Sequence, residues 1–232
     1  MVTIYNAAGL FNASDQIYNL LLTSALEKKG HKVILPQRDG FEFSKLNSAL
    51  EGILEANEIP DAVNRMIYFL DKGKFIGQNS NVCVARLDGL AIDEGVVNEM
   101  GFCNMLGVPI IGLTTDIRSP YGNITNEVSG KHFFPLYSCD KFIAVSPNFK
   151  NLNGAYKQIG KVALEIGKFI RSFHYSPIFT DNLFAHNIIS VAKELFGDIN
   201  DIHSEDGLKE IAERYVHAKK KIENILPNIK RI

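Results

Sequence analysis

Cysteine is scarce in this 232-residue chain, and Cys83, Cys103 and Cys139 stand far apart with no CxxC pair. That argues against a disulfide framework and against a structural zinc site. The six histidines show neither HxxxH nor HExxH spacing, so no metal site is expected. An excess of charge is also lacking: 25 basic and 26 acidic residues leave a formal net charge of -1. No global field recruits nucleic acid or an acidic membrane. The basic cluster from His217 to Lys221 lies on a helical pattern and reads as a solvated helix face. No apolar run approaches the roughly 20 residues that span a bilayer, and MVTIYNAAGLF lacks the plan of a signal peptide. A soluble cytoplasmic protein is expected, in which the Asn12 and Asn123 glycosylation patterns carry no meaning. Internal repeats and low-complexity linkers are absent. So are GxGxxG and GxxxxGK[ST], which leaves a Rossmann dinucleotide site and a P-loop unsupported.

What is present is an ordinary globular composition, 46% hydrophobic and 22% charged, enough for one core or one domain with an appendage. Val2–Tyr5 reads as a strand that ends in NAAG. Ser14 or Asp15 is placed to cap a helix carrying Ile17, Leu20, Leu21 and Leu26, which stops at Gly30. His31–Pro36 is a second strand, closed by the loop QRDG. Leu46, Leu50, Ile53 and Leu54 mark a second helix. Pro60 opens a third, which Lys72-Gly73 ends. Asn81–Leu87 is apolar nearly throughout, as a strand buried on both faces should be. A helix over DEGVVNEMGFCNMLG and strands at Pro109–Thr114 and Lys141–Ser146 follow. This alternation predicts a three-layer α/β domain with a mostly parallel sheet and helices on both faces. From residue 151 three helical patterns run on: Ala155–Phe173, Asp181–Phe196 and Ser204–Ile225. The expected division is an α/β domain over 1–150 and a helical C-terminal extension over 151–232. That extension would pack on the same domain or at an oligomer interface.

In an open parallel sheet, ligands bind beyond the carboxyl ends of the strands. The loops to inspect are therefore NAAGLF, QRDG, DGLAIDEG and TDIRSPYGN. In DEGVVNEMG, Asp93 is placed to cap a helix, with Gly95 in the first turn and Glu99 one turn on, on the same face as Gly95. A missing side chain at Gly95 lets a substrate approach the helix end and reach the Glu99 carboxylate. Two carboxylates, one attacking and one holding or protonating, suit cleavage of a glycosidic bond. A capping Asp followed by a surface Glu is the plainer reading of the same spacing.

Three stretches taken together carry more. IYNAAGLF, LPQRDG and LDGLAIDEGVVNEMG occur in that order, the last holding D-x-G-x-x-x-E-x-G in full. In these motifs the chain resembles the nucleoside 2-deoxyribosyltransferase family over roughly the first 145 residues. The resemblance implies a flavodoxin-like fold, a homo-oligomer, and no metal or organic cofactor. It also implies exchange of the base of a 2′-deoxynucleoside for a free nucleobase through a covalent deoxyribosyl-glutamate. By this likeness Glu99 is the nucleophile, Asp93 lies beside the substrate, and Tyr5 positions the nucleophilic carboxylate. Gly9 and Phe11 line the pocket, Gln37 contacts the base, and Asp71 handles protons on it. Asp88 and Gly95 are counted with the substrate-binding residues. Asn126, or Asn123 if the alignment slips, matches the asparagine that a neighbouring subunit lends to the 5′-hydroxyl. The QRDG loop leans the base preference toward purines. Many relatives carry threonine where this chain has Val96, and the tail after Asn151 goes beyond the compact family core.

Two rival functions follow from the same residues. With water as acceptor, Glu99 gives a nucleoside or nucleotide N-glycoside hydrolase. Asp93 should repel a nearby phosphate, which favours free nucleosides. Without catalysis, the domain is a nucleotide-sensing module, in which Glu99 has no task. A phosphoacceptor receiver is disfavoured, because NAAG supplies no acid at the end of the first strand.

Overall fold

A computed structural model of the chain describes residues 1–89, 91–117, 133–173 and 181–226. Among the described residues five strands form one sheet: β1 (Thr3–Ala7), β2 (Lys32–Ile34), β3 (Val82–Arg86), β4 (Ile110–Thr114) and β5 (Lys141–Ala144). Their order is β2-β1-β3-β4-β5 and every neighbouring pair is parallel. This is the flavodoxin-like doubly wound order, whose switch point lies between β1 and β3.

Side chains alternate across the sheet. On one face Ile4, Val82, Val84, Ile111, Leu113 and Ile143 form a core with Leu22 and Leu26 of α1 (Ala13–Glu27). Ile159, Val162, Ala163, Ile166 and Ile170 of α7 (Leu152–Ser172) complete it, recurring at helical spacing. Tyr5 and Cys83 point the other way, toward α5 (Glu94–Leu106), whose Cys103 thiol shares a hydrogen bond with the Cys83 thiol, both cysteines being free. Gly107 ends α5 at φ 68°, a left-handed backbone that favours glycine.

The N-cap of α1 is Asn12, not Ser14 or Asp15. Asn12 is extended, at φ -136° and ψ 158°, and its side chain accepts from Asp15 N at 2.9 Å. QRDG is not all loop either, because α2 (Pro36–Asp39) forms a single helical turn behind Pro36.

The chain divides into two compact units: Met1–Arg38 with Asn79–Phe179, and Asp39–Gln78 with Thr180–Ile232. The helical segment from residue 151 is thereby split. Helix α7 belongs with the sheet, as does the short α6 (Phe133–Tyr137). Helices α8 (Leu183–Phe196) and α9 (Glu205–Ile225) belong with α3 (Phe43–Leu50) and α4 (Ile59–Tyr68). Lys219 Nζ bonds Glu58 Oε1 at 2.5 Å, and Arg65 donates to the Leu226 carbonyl, so α9 is tied to α4 at both places.

Lys72-Gly73 does not end the third helix. Beyond Tyr68 the backbone widens into a π-helical segment, Phe69–Asn79. Its glycines meet α8 closely: a Cβ on Gly73 would strike Ala192 and Ile188, and one on Gly77 would lie 2.6 Å from Ile189. Packing against α8 overrides the stop that glycine signals in isolation. Among the described residues, no helix is long and apolar enough to cross a membrane.

Candidate active site

The switch point between β1 and β3 is flanked by the segments that follow those strands, 8–12 and, among the described residues, 87–89 and 91–93. Four of the expected residues, Tyr5, Gly9, Asp93 and Glu99, lie around it in the first unit. Tyr5 is fully buried in the sheet, opposite Cys83, and its side chain runs toward α5. Its hydroxyl donates to Glu99 Oε1 at 2.6 Å. Glu99 is half-buried on the second turn of α5. A hydrogen bond this short to a carboxylate is charge-assisted and fixes the acid's direction.

Asp93 is the N-cap of α5, its Oδ1 accepting from Val96 N at 3.0 Å. Val96 is itself buried in the core. A Cβ added to Gly9 would lie 3.6 Å from Asp93 Oδ2 and 3.7 Å from Asp15 Oδ2. Gly9 thus runs between two carboxylates, and its bare Cα keeps that space open. Gly95 is exposed beside Asp93. An oriented Glu99, an acid at the helix entrance, and Gly9 and Gly95 beside that acid make an arrangement suited to a small polar ligand.

The family model for nucleoside 2-deoxyribosyltransferase matches residues 4–136, more than half of the chain. The chain belongs to the nucleoside 2-deoxyribosyltransferase family. Every residue of the Tyr5, Gly9, Asp93 and Glu99 set lies within the matched stretch. No curated protein matches the chain. Among solved structures, a conserved protein from Enterococcus faecalis V583 is 22% identical, covering 70% of this chain and 99% of its own, with a TM-score of 0.46. A 2-deoxyribosyltransferase from the psychrotolerant bacterium Bacillus psychrosaccharolyticus is 18% identical over 66% of this chain and 90% of its own, TM-score 0.41. An azoreductase from Bacillus anthracis str. Sterne is 13% identical over 75% of this chain and 100% of its own, TM-score 0.39. Likenesses at this level carry no assignment, and the family rests on residues 4–136.

The remaining expected residues of this family member are placed as follows. Phe11 is exposed in the segment after β1. Gln37, in α2, has Oε1 accepting from Asn19 Nδ2 at 3.0 Å and Nε2 donating to the Gln16 carbonyl at 3.1 Å. Asp88 is turned to the segment after β4. Its carboxylate accepts from Thr114 Oγ1, Thr115 N, Thr115 Oγ1 and Asp116 N at 2.6–3.0 Å. Gly89 follows at φ 101°, its N–H donating to Asp116 Oδ2 at 3.0 Å. Asp71 belongs to the second unit, where burial pushes its carboxyl up to about 7 against a smaller opposing pull from Lys72. Asn126 and Asn123 lie outside the described residues.

Sequence reasoning missed a buried polar set beside the site. Arg86 closes β3, almost fully buried, and bonds to Asp15, to Asn19 Oδ1 at 3.0 Å and, at 3.5 Å, to Asp88. Its guanidinium lies over the Tyr18 ring at 5.3 Å. Burial and the Asp88 charge push the Tyr18 hydroxyl up to about 12, with Arg86 opposing. Two signals were present in the sequence. Arg86 is a lone charge in an apolar strand, and Asn19 is a polar residue on the helical stripe shared with Leu22 and Leu26.

Proposed function

We propose that the chain transfers the 2-deoxyribosyl group of a 2′-deoxynucleoside from one nucleobase to another, with Glu99 as nucleophile, in cytoplasmic nucleoside salvage. The Tyr5–Glu99 hydrogen bond of 2.6 Å carries this reading, because it gives the signature glutamate a fixed direction within the family-matched stretch. A Glu99 oxygen attacks C1′ as the C1′–N bond breaks, the electron pair leaving on the base nitrogen. The departing base takes a proton from the acid that serves the base, Asp71 in the resemblance, and a deoxyribosyl ester of Glu99 remains. A second base attacks C1′ through a ring nitrogen and gives its N–H proton back to that acid, and Glu99 leaves as a carboxylate.

Asp93 orients the base or the attacking group from the helix entrance, and Gly9, Gly95 and Phe11 line the approach. In the resemblance Asp71 handles protons on the base. A carboxyl with a pKa of about 7 holds a proton near neutrality and can give it up, which suits that task. Gln37 contacts the base, with purines preferred, and Asp88 is counted with the substrate-binding residues. The resemblance implies a homo-oligomer in which Asn126, or Asn123, of a neighbouring subunit serves the 5′-hydroxyl. Neither metal nor organic cofactor enters these steps.

The test is chromatography of deoxyinosine incubated with the protein, with and without adenine. Deoxyadenosine formed only when adenine is present supports transfer. Free hypoxanthine and deoxyribose without a new nucleoside would replace transfer by hydrolysis. No turnover with any base pair would favour a sensing module.

A further inference from the structure

We infer that Asn19 is a positioning residue for base recognition: it fixes the direction of the Gln37 amide and so decides which hydrogen-bonding groups a nucleobase meets. The inference rests on the reading above, in which Gln37 contacts the base.

Asn19 is 1% exposed on the inner face of α1. Its Oδ1 accepts from Arg86 Nη1 at 3.0 Å, and its Nδ2 donates to the Gly9 carbonyl and to Gln37 Oε1, each at 3.0 Å. Chemistry dictates both ends. A guanidinium only donates, so the Asn19 atom facing Arg86 must be oxygen. A backbone carbonyl only accepts, so the atom facing Gly9 must be nitrogen. Gln37 therefore turns its oxygen to Asn19. Its Nε2 faces the Gln16 carbonyl at 3.1 Å, again a group that only accepts. One direction of donation runs from Arg86 through Asn19 to Gln37 and on to Gln16.

Arg86 is anchored in turn by Asp15, Asp88 and the Tyr18 ring, so the donor at the head of the chain does not swing away. A primary amide has two N–H groups and two oxygen lone pairs, and these contacts use one of each on Gln37. An arriving base meets the other N–H and the other lone pair, in an order that Asn19 sets. Adenine and hypoxanthine present opposite donor and acceptor patterns at position 6, so that order discriminates between them. The same side chain holds the Gly9 carbonyl and ties the segment after β1 to this recognition group.

Asn19→Asp inverts the demand. A carboxylate still accepts from Arg86, but it offers only lone pairs to Gly9 and Gln37 and draws the Gln37 Nε2 toward itself. Asn19→Ala keeps good helix propensity and removes the constraint, leaving Gln37 held by Gln16 alone.

The experiment is equilibrium dialysis of free adenine and of free hypoxanthine against the full chain. Wild type, Asn19→Asp, Asn19→Ala, Gln37→Ala and Asn19→Asp combined with Gln37→Ala are compared, with thermal unfolding of each. The ratio of the two dissociation constants should move about tenfold in Asn19→Asp, the worth of one hydrogen bond. It should move toward one in Asn19→Ala, which carries the test alone if the Asp variant does not fold. In the Gln37→Ala background the Asn19 change should leave the ratio unmoved, because the effect acts through Gln37. An unmoved ratio with both constants scaled alike would mean a merely structural role and overturn the proposal. A shift that persists without Gln37, or a wild type that binds neither base, would overturn it too. Base exchange is read separately: an Asn19-dependent ratio in a protein that exchanges no base would sink the transferase reading and leave this one standing.

Discussion

Tyr5 and Glu99, 94 residues apart in the chain, meet in one hydrogen bond of 2.6 Å. The phenol comes from a strand locked between β2 and β3, and the carboxylate from a helix capped six residues earlier by Asp93. Strand and helix thus converge on one acid, and the two partners can be tested separately.

Glu99→Ala should abolish base exchange and any side hydrolysis together, a loss of at least ~10³-fold, as expected when a nucleophile is removed. Glu99 is half-buried and contributes little apolar packing, so the melting temperature should stay within a few degrees of wild type. Chromatography of deoxyinosine with adenine, beside a thermal melt, reads both. Retained exchange in a folded variant would refute the assignment.

Tyr5→Phe keeps the ring in the core and deletes only the donor. A hydrogen bond to a charged group contributes about 1.5–3 kcal/mol, so kcat should fall roughly 10- to 100-fold. KM should move far less, since the role proposed for the hydroxyl is to orient Glu99. An equal rise in KM with unchanged kcat would show that Tyr5 serves binding instead.

Asp71 gives a pH signature. Its pKa is raised from 3.8 to about 7, so between these values the folded chain holds a proton that the unfolded chain has lost. Stability from this group is therefore lost as pH rises through that window and stays lost above it. Asp71→Asn should flatten the fall, leaving the variant relatively more stable at pH 8 than at pH 5 when each is compared with wild type. Melting temperatures at those two values decide it. A parallel offset at both would mean that Asp71 ionises near its ordinary value.

How much of this was legible in the sequence depended on whether the cause was local. The five strands were readable because parallel strands under two layers of helix leave short apolar runs, such as Val82–Arg86. The placing of Asp93 ahead of α5 was readable because capping needs only one side chain and the next turn. The cap of α1 was not. Asn12, Ser14 and Asp15 all have suitable side chains, and the extended backbone at Asn12 selects among them. The sorting of α7 from α8 and α9 was hidden as well, since each shows an apolar stripe whatever it packs on. Residues 39–78 join 180–232 only through contacts distant in sequence, of which Lys219–Glu58 is one. Glu99 and Asp93 stood out through a compact motif. Asn19 and Arg86 lie 67 residues apart, and only the fold brings them to one hydrogen bond.

Arg86→Met tests whether the polar set beside the site is structural as well as functional. The guanidinium side chain is 5% exposed, and it faces the Asp15 and Asp88 carboxylates, themselves 29% and 20% exposed. Methionine fills much of the same volume and stacks acceptably on Tyr18, so packing loss is small. What remains is two partly buried carboxylates and the Asn19 oxygen without their common donor. Removing one partner of a buried ion pair costs about 3–5 kcal/mol, and the partial exposure of both acids puts this case at the lower end. Urea unfolding should show a lower midpoint with an unchanged slope. The loss should shrink when Asp15→Asn is added, because the second change removes a charge that the first left unpaired. Additive losses in the double variant would show that Arg86 and Asp15 do not stabilise each other.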